Sequence, residues 1–324
     1  MRWLITTIIL LCCVVGPMQP ASAAGTWPDK PIHFVVPFPA GSVTDLVSRI
    51  VVNGLSAKLK QTIVVDNKPG ASGELGDSFI ARATPDGYTI GLATASTLAV
   101  APSLNSHLAY DPLKDFAMIS LLGQAPYLLV VNNKVPAKDV KELIELAKRK
   151  PGALNYSTVG PASLAQFAGS LFSSMAKVKL TAIPYRSATP AALDLAEGRI
   201  QMQFGAAAAT LPFIKQGKLQ ALAVTSKERL SVLPNVPTMS EAGLPGYEAV
   251  LWMAVVAPRD TPSNIVDQLN KDIRAVLADP EVKKRLDNEV LQVEASSPAE
   301  LRARIATDIA KWKALAREMG IKPQ

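Results

Sequence analysis

The chain has 324 residues, of which 48% are hydrophobic, and its 34 basic and 27 acidic residues give a formal net charge of +7. This length and composition allow a large core or two domains, which excludes a disordered protein. The basic residues are spread along the chain and are not interleaved with aromatic residues, so we expect no nucleic-acid binding.

Residues 1–23 have the layout of a cleavable secretory signal peptide. Arg2 supplies a positive charge, an apolar run follows from Leu4 to Val15, and Ala21-Ser22-Ala23 forms a small-residue cleavage site. The run is shorter than the roughly 20 apolar residues of a membrane-spanning helix, so a retained anchor is the weaker alternative. Cleavage would place the mature protein in the periplasm and would remove both cysteines of the chain.

The mature chain would contain no thiol and only two histidines, His33 and His107. It also lacks the G-x-S-x-G, HExxH and Walker motifs. We therefore expect no catalytic residues, no metal site and no cofactor, and we interpret the protein as a non-enzyme. A secreted hydrolase that uses a serine and one of the two histidines is the alternative.

Short apolar, β-branched segments alternate with helical patterns along the chain, which predicts an α/β fold with mainly parallel sheets. The predicted strands cover residues 32–36, 62–65, 88–93, 117–122, 127–131, 154–157, 180–184, 200–204, 219–225 and 250–256.

Three of the predicted helices have clear signals. One apolar stripe covers residues 140–147 before Pro151-Gly152, and a second covers residues 265–277. Ser297, Pro298 and Glu300 form a capping box that begins the last helix.

Two segments rich in glycine and proline predict connections between two lobes. They lie around residues 123–126 and 245–251. We expect the first lobe to contain residues 24–124 and 248–324, and the second lobe to contain residues 125–247.

Three loops rich in small polar residues each join a predicted strand to a helix, at residues 37–45, 93–97 and 157–163. Such loops leave backbone N–H groups free at a helix N-terminus, where the helix dipole favours a carboxylate or phosphate. In open α/β sheets, ligands bind at the carboxyl ends of the strands. Because these loops occur in both expected lobes, they predict a ligand cleft between the lobes.

Several short motifs occur in one order along the chain. They are Trp27-Pro28-Asp29-Lys30-Pro31-Ile32, Val65-Asp66-Asn67-Lys68-Pro69-Gly70-Ala71, Pro85-Asp86-Gly87-Tyr88-Thr89, Tyr110-Asp111-Pro112, Lys150-Pro151-Gly152, Ile183-Pro184-Tyr185, Val236-Pro237-Thr238 and Glu241-Ala242-Gly243. With these motifs the chain resembles the Bug family, the periplasmic solute receptors of tripartite tricarboxylate transporters, from Trp27 to about Lys322.

The resemblance implies a two-lobed periplasmic binding protein fold, type II-like, that closes on a small organic carboxylate in the cleft between its lobes. It also implies delivery of that ligand to a membrane permease, and we expect a monomer. The alternative role is a ligand-sensing partner of a membrane signalling protein.

The resemblance also implies which residues line the cleft. The first lobe would contribute Phe38, Ala40, Gly41, Ser42, Val43, Thr44, Asp45, Ser96 and Thr97. The second lobe would contribute Thr158, Gly160, Ala162, Ser163, Tyr185, Gly205, Ala206 and Ala207. Asp45 would orient the first loop or its waters, because its negative charge repels a carboxylate.

The chain departs from the family pattern at four places. Gly41-Ser42 replaces Gly-Gly, Gln166 replaces a histidine, Ser187 replaces a glycine, and alanines at 206–209 replace an acidic or amide residue. The alanines would make the cleft wall more apolar, which favours an aromatic dicarboxylate such as terephthalate over citrate. The alternative is that these alanines only pack the helix.

Overall fold

The computed structural model describes residues 27–160, 163–318 and 320, so the predicted signal peptide and Ala162 lie outside the described residues. The strands are β1 (Ile32–Val36), β2 (Ile63–Asn67), β3 (Thr89–Thr94), β4 (Phe116–Asn132), β5 (Asn155–Thr158), β6 (Thr181–Pro184), β7 (Met202–Ala206), β8 (Leu219–Val224), β9 (Val250–Pro258) and β10 (Gln292–Val293).

The α-helices of the described residues are α1 (Val43–Leu59), α2 (Glu74–Ala81), α3 (Val140–Arg149), α4 (Leu164–Ala176), α5 (Ala188–Glu197), α6 (Ala207–Lys215), α7 (Ser263–Leu277), α8 (Pro280–Asn288) and α9 (Pro298–Glu318). A 3₁₀ turn covers Ala71–Gly73 and a π-helical turn covers Ser96–Val100. The helices predicted from the two apolar stripes and from the capping box are thus confirmed as α3, α7 and α9. In the part of the chain covered here, no helix is long and apolar enough to cross a membrane.

The strands form a mixed sheet in the order β2-β1-β3-β9-β4-β7-β5-β6, and β8 and β10 pair with β4. At one end β1 runs parallel to β2 and β3, and at the other end β5 runs parallel to β6 and β7. Between them β9 and β4 run antiparallel to their neighbours. The α/β prediction is confirmed, but the prediction of mainly parallel sheets is wrong for the middle of the molecule.

The long strand β4 joins the two halves of the sheet. It pairs with β9 from Phe116 to Pro126 and with β7 and β8 beyond that point. The sequence predicted two strands with a connector between them, whereas the chain continues as one strand through a β-bulge at Gly123. Gly123 has a φ of 151°, and a Cβ there would lie 2.4 Å from the carbonyl oxygen of Gln292. The glycine therefore permits a close backbone approach and a bend within a strand.

Helix α9 packs against both halves of the molecule. Its N-terminus has the predicted capping box, in which the amide of Glu300 donates to Ser297 Oγ at 3.3 Å and the amide of Ser297 donates to Glu300 Oε2 at 2.8 Å. Leu301 and Ile305 are fully buried. Further along, the Trp312 ring meets the Phe167 ring of α4 edge to face at 5.5 Å.

The parallel strands place the loops that follow them. Since β1, β2 and β3 are parallel, the starts of α1 and α2 and the π-helical turn lie at one edge of the first half of the sheet. By the same reasoning, the starts of α4, α5 and α6 lie at one edge of the second half, after β5, β6 and β7.

Candidate functional site

The loops after β1, β2 and β3 form one edge of the sheet, and the loops after β5, β6 and β7 form another. These two edges come into contact at one point. Ser72 lies in the 3₁₀ turn after β2, and Gly160 lies in the loop after β5. A Cβ built on Gly160 would lie 3.4 Å from Ser72 Oγ. The loops at the carboxyl ends of β2 and β5 therefore meet, and the space between these two edges is the candidate cleft, since ligands bind at the carboxyl ends of strands in open α/β sheets.

The loop after β1 leads into the N-terminus of α1 and supplies its cap. Ser42 caps the helix: its Oγ accepts a hydrogen bond from the Asp45 amide at 3.3 Å and donates to the Pro39 carbonyl at 2.7 Å. The first two amides of the helix, those of Val43 and Thr44, have no acceptor among the residues that the structure describes. These two N–H groups can bind an anion.

Asp45 is 2% exposed and points into the first loop. Its Oδ2 accepts the Gly41 amide at 2.8 Å and Arg49 Nε at 3.0 Å, and its Oδ1 accepts Asn67 Nδ2 at 2.9 Å. Burial raises the pKa of the Asp45 carboxyl, but hydrogen bonds from Arg49, Gly41 and Asn67 outweigh this effect and hold the pKa below its usual value. The carboxylate thus stays ionised and holds the loop, and the Gly41 amide is already engaged.

The π-helical turn after β3 contains two hydroxyl side chains, Ser96 and Thr97, which differ in exposure and in hydrogen bonding. Thr97 is fully buried, and its Oγ1 donates to the carbonyl of Thr94 at 3.2 Å. Ser96 is 8% exposed, and its hydroxyl has no hydrogen-bond partner within residues 27–160 and 163–318. Ser96 is therefore the hydroxyl of this turn that is available to a ligand.

The loop after β5 repeats the cap of the first loop. The Ser163 Oγ accepts the Gln166 amide at 3.3 Å and donates to the Gly160 carbonyl at 2.7 Å. The amides of Leu164 and Ala165 have no acceptor in the described part of the chain. Thr158 ends β5 and is buried. A second pair of free helix N–H groups therefore borders the cleft from the other lobe.

The loop after β6 adds an unpaired positive charge. Arg186 is exposed and has no ion-pair or hydrogen-bond partner among the described residues. Its neighbour Tyr185 donates from its hydroxyl to Asp194 Oδ2 at 2.8 Å. Burial, with the hydrogen bond to Asp194, raises the pKa of Tyr185 to about 12, so this phenol stays neutral. Helix α5 begins at this loop without a side-chain cap.

The loop after β7 is apolar. A Cβ on Gly205, near the end of β7, would lie 2.9 Å from Thr210 Cγ2, so this end of the strand packs closely against α6. Ala206 is half-buried, whereas Ala207 is buried in a core cluster behind the loop. Helix α6 also lacks a side-chain cap. Of the two alanines predicted to line the cleft, Ala206 is therefore the one whose side chain is accessible.

The first-lobe wall is backed by a buried acid, Asp77 of α2. Asp77 is fully buried, and neither carboxyl oxygen has a hydrogen-bond partner within the described residues. At Gly73, in the 3₁₀ turn that leads into α2, a Cβ would meet Thr97 Cγ2 at 2.7 Å and the Phe38 ring at 3.0 Å. Burial raises the pKa of Asp77 to about 8, so this side chain is protonated at neutral pH.

Sequence reasoning missed three polar residues at this site. Asn67 and Arg49 hold Asp45, and Ser72 faces Gly160. Asn67 reaches Asp45 from β2, which no local pattern indicates, whereas Arg49 lies one helical turn after Asp45 and its i, i+4 spacing could have indicated the pair. Among the described residues, no group of three or more His, Cys, Asp or Glu side chains could hold a metal ion. His33, one of the two histidines of the mature chain, is exposed in β1, and its Nδ1 lies 2.9 Å from Asp66 Oδ2.

Comparison with known proteins agrees with this architecture. The family model described as "Tripartite tricarboxylate transporter family receptor" matches residues 47–321. The protein BugT of Bordetella pertussis is 34% identical over 323 residues, covering 99% of each chain.

Two solved structures with bound ligands have the same fold. Rpa4515 of R. palustris with adipate is 34% identical, with a TM-score of 0.84, and the match covers 92% of this chain and 100% of that chain. MatC of Rhodopseudomonas palustris with bound malate is 31% identical, with a TM-score of 0.78, over 89% and 99% of the two chains. These matches confirm the two-lobed periplasmic binding protein fold. By fold, family model and relatives, the chain belongs to the Bug (TctC) family, the periplasmic carboxylate receptors of tripartite tricarboxylate transporters.

Proposed function

We propose that the mature protein captures a small dicarboxylate in the cleft between its lobes and delivers it to the permease of a tripartite transporter. The main support for this proposal is the position of helices α1, α4, α5 and α6. Each follows a parallel strand and therefore begins at an edge of the sheet that faces the candidate cleft. Asp45, the acidic residue in the first turn of α1, is turned inward and bound by Arg49 and Asn67, and the first turns of α4, α5 and α6 contain no acidic residue. The starts of these four helices therefore present partial positive charges without a free carboxylate in their own first turns.

One carboxylate of the ligand would bind at the start of α1. The free amides of Val43 and Thr44 and the hydroxyl of Ser96 would donate to it, and Phe38 and Ala40 would flank it. The other carboxylate would bind at the start of α4, beside Thr158, Gly160 and Ser163. Rpa4515 and MatC were solved with dicarboxylates, adipate and malate, which supports a ligand with two acidic ends.

The finer proposal concerns the body of the ligand. Phe38, Tyr185, Gly205 and Ala206 offer little polarity between the two anion positions, and Ala207 packs behind them. An aromatic dicarboxylate such as terephthalate would lose less hydration on entering this space than the more polar citrate. Arg186, exposed at the start of α5, would attract either ligand to the cleft.

We further propose how the protein works as a receptor. Cleavage after Ala23 releases a monomer whose lobes meet at residues 124/125 and 247/248. Ligand binding closes the lobes by rotation at these two crossings, and the permease recognises the closed form. Closure requires no covalent step, in keeping with a receptor that is not an enzyme.

The test is a thermal-shift panel on the mature protein with terephthalate, adipate, malate, citrate, amino acids and an uncharged diol as the control. A ligand that binds only the folded state stabilises it by roughly 2.7 kcal/mol at a hundredfold excess over Kd. We expect a rise in Tm with dicarboxylates and none with the diol. A rise with citrate but not with aromatic acids would refute the finer proposal, and no rise with any carboxylate would refute the function.

A further inference from the structure

The turn after β2 holds Ser72 in an unusual backbone conformation. Ala71 and Ser72 have φ values of 45° and 55°, both in the left-handed region. This region is unfavourable for residues other than glycine, asparagine and aspartate. Two consecutive residues of this kind persist only where the surrounding structure holds them, and such conformations are concentrated at functional sites.

The surroundings of the turn hold it against the cleft wall. The next residue, Gly73, packs so tightly that a Cβ there would lie 2.7 Å from Thr97 Cγ2 and 3.0 Å from the Phe38 ring. Since Phe38 and Thr97 belong to the two other first-lobe loops at the cleft, the turn is wedged among them. Ser72 thus occupies a fixed position at the first-lobe edge.

From this position the Ser72 hydroxyl reaches the second lobe. Its Oγ lies 3.4 Å from the place that a Cβ on Gly160 would take. The Gly160 carbonyl accepts both the amide and the hydroxyl of Ser163, the cap of α4. The Ser72 side chain is half-buried, and its hydroxyl has no hydrogen-bond partner in the part of the chain described by the structure. A donor without a partner therefore lies beside Gly160, the residue whose carbonyl binds the cap of α4.

We propose that Ser72 is a ligand-binding residue: its hydroxyl donates to the carboxylate held at the α4 N-terminus and so ties the first lobe to the second in the closed state. This inference rests on the proposed function, because it needs an anion at that helix. A hydrogen bond to a charged acceptor is stronger than one between neutral groups. The left-handed backbone conformation of Ser72 is strained, but it directs a hydroxyl group towards the second lobe, and a glycine at this position would supply no hydroxyl.

The experiment compares Ser72→Gly and Ser72→Ala with the wild type, with adipate as the probe. Calorimetry gives Kd, and stopped-flow tryptophan fluorescence gives the dissociation rate. We expect both variants to raise Kd for adipate about tenfold, mainly through faster dissociation, since the lost bond acts in the closed complex. The glycine variant should keep or raise the Tm of the ligand-free protein, because glycine adopts positive φ without strain.

Ser78→Ala, a half-buried serine of α2 at the same lobe, is the matched control and should bind adipate as the wild type does. Wild-type affinity in both Ser72 variants would overturn the inference. So would a glycine variant whose Tm and affinity fall together, since the hydroxyl would then serve the fold. If the wild type binds no carboxylate of the panel, the proposed function fails, and this inference fails with it.

Discussion

Replacing Asp77 by asparagine should remove a pH dependence from the stability of the protein. The side chain is fully buried, and burial raises its pKa to about 8, whereas an aspartate in the unfolded chain has a pKa of about 3.9. Between these values the folded protein keeps the proton and the unfolded chain releases it. The free energy of unfolding contributed by this group is therefore fully present below about pH 4 and is lost as the pH rises to about 8.

The magnitude follows from the pKa difference. One pKa unit corresponds to about 1.36 kcal/mol, so the rise from pH 5 to pH 8 should cost the wild type roughly 4 kcal/mol through Asp77 alone, as an upper bound. Asparagine has nearly the same volume and no proton to release. We expect the Asp77→Asn variant to be more stable than the wild type at pH 8, with a much smaller difference at pH 5.

The assay is urea unfolding of both proteins at pH 5, 6, 7 and 8, followed by circular dichroism. Asp260→Asn is the control, because the Asp260 side chain is 82% exposed and should not change the pH profile. Parallel stability profiles for the wild type and the Asp77→Asn variant would refute the reasoning. They would mean that the buried carboxyl is already ionised, or is reached by water, in the folded protein.

Three further predictions concern the loops and the bulge. Ser163→Ala removes the cap of α4 and should lower the free energy of unfolding by about 1 kcal/mol in urea titrations; an unchanged midpoint would show that the cap adds no stability. Gly123→Ala places a Cβ 2.4 Å from the Gln292 carbonyl, so we expect a loss of at least 2 kcal/mol in the same assay, and a loss under 0.5 kcal/mol would contradict the close approach. Arg186→Ala should slow dicarboxylate association several-fold at low salt and much less at high salt in stopped-flow experiments; rates equal to the wild type at low salt would exclude steering by this residue.

The elements that sequence alone predicted well are those with local signals. The capping box at Ser297 and the apolar stripe in α7 depend on residues only a few positions apart. The sequence pattern therefore predicts both features as the structure has them. The single long strand β4 was missed because its bulge at Gly123 has the composition of a loop. The neighbouring strands β9 and β10, both more than a hundred residues later, keep that segment extended.

The same distinction applies to the cleft. The caps at Ser42 and Ser163 were predictable, because a serine at the start of an apolar stripe has one common role. The inward turn of Asp45 depends on Asn67, which arrives from β2, and the position of the Ser72 turn depends on Phe38 and Thr97, which belong to the loops after β1 and β3. Contacts between distant segments leave no period or spacing for sequence reasoning to detect.

The two serine caps have a consequence for the direction in which a ligand lies. Ser42 and Ser163 each donate to a loop carbonyl at 2.7 Å and accept a helix amide at 3.3 Å, so both ends of the proposed site offer the same recognition unit. The caps alone do not set the direction of a ligand, and the proposed donors Ser96 at one end and Ser72 at the other are what would distinguish its head from its tail. A symmetric diacid can then enter in either orientation, whereas a ligand with unlike ends has one preferred orientation, and this difference is a statistical factor of about two, or roughly 0.4 kcal/mol.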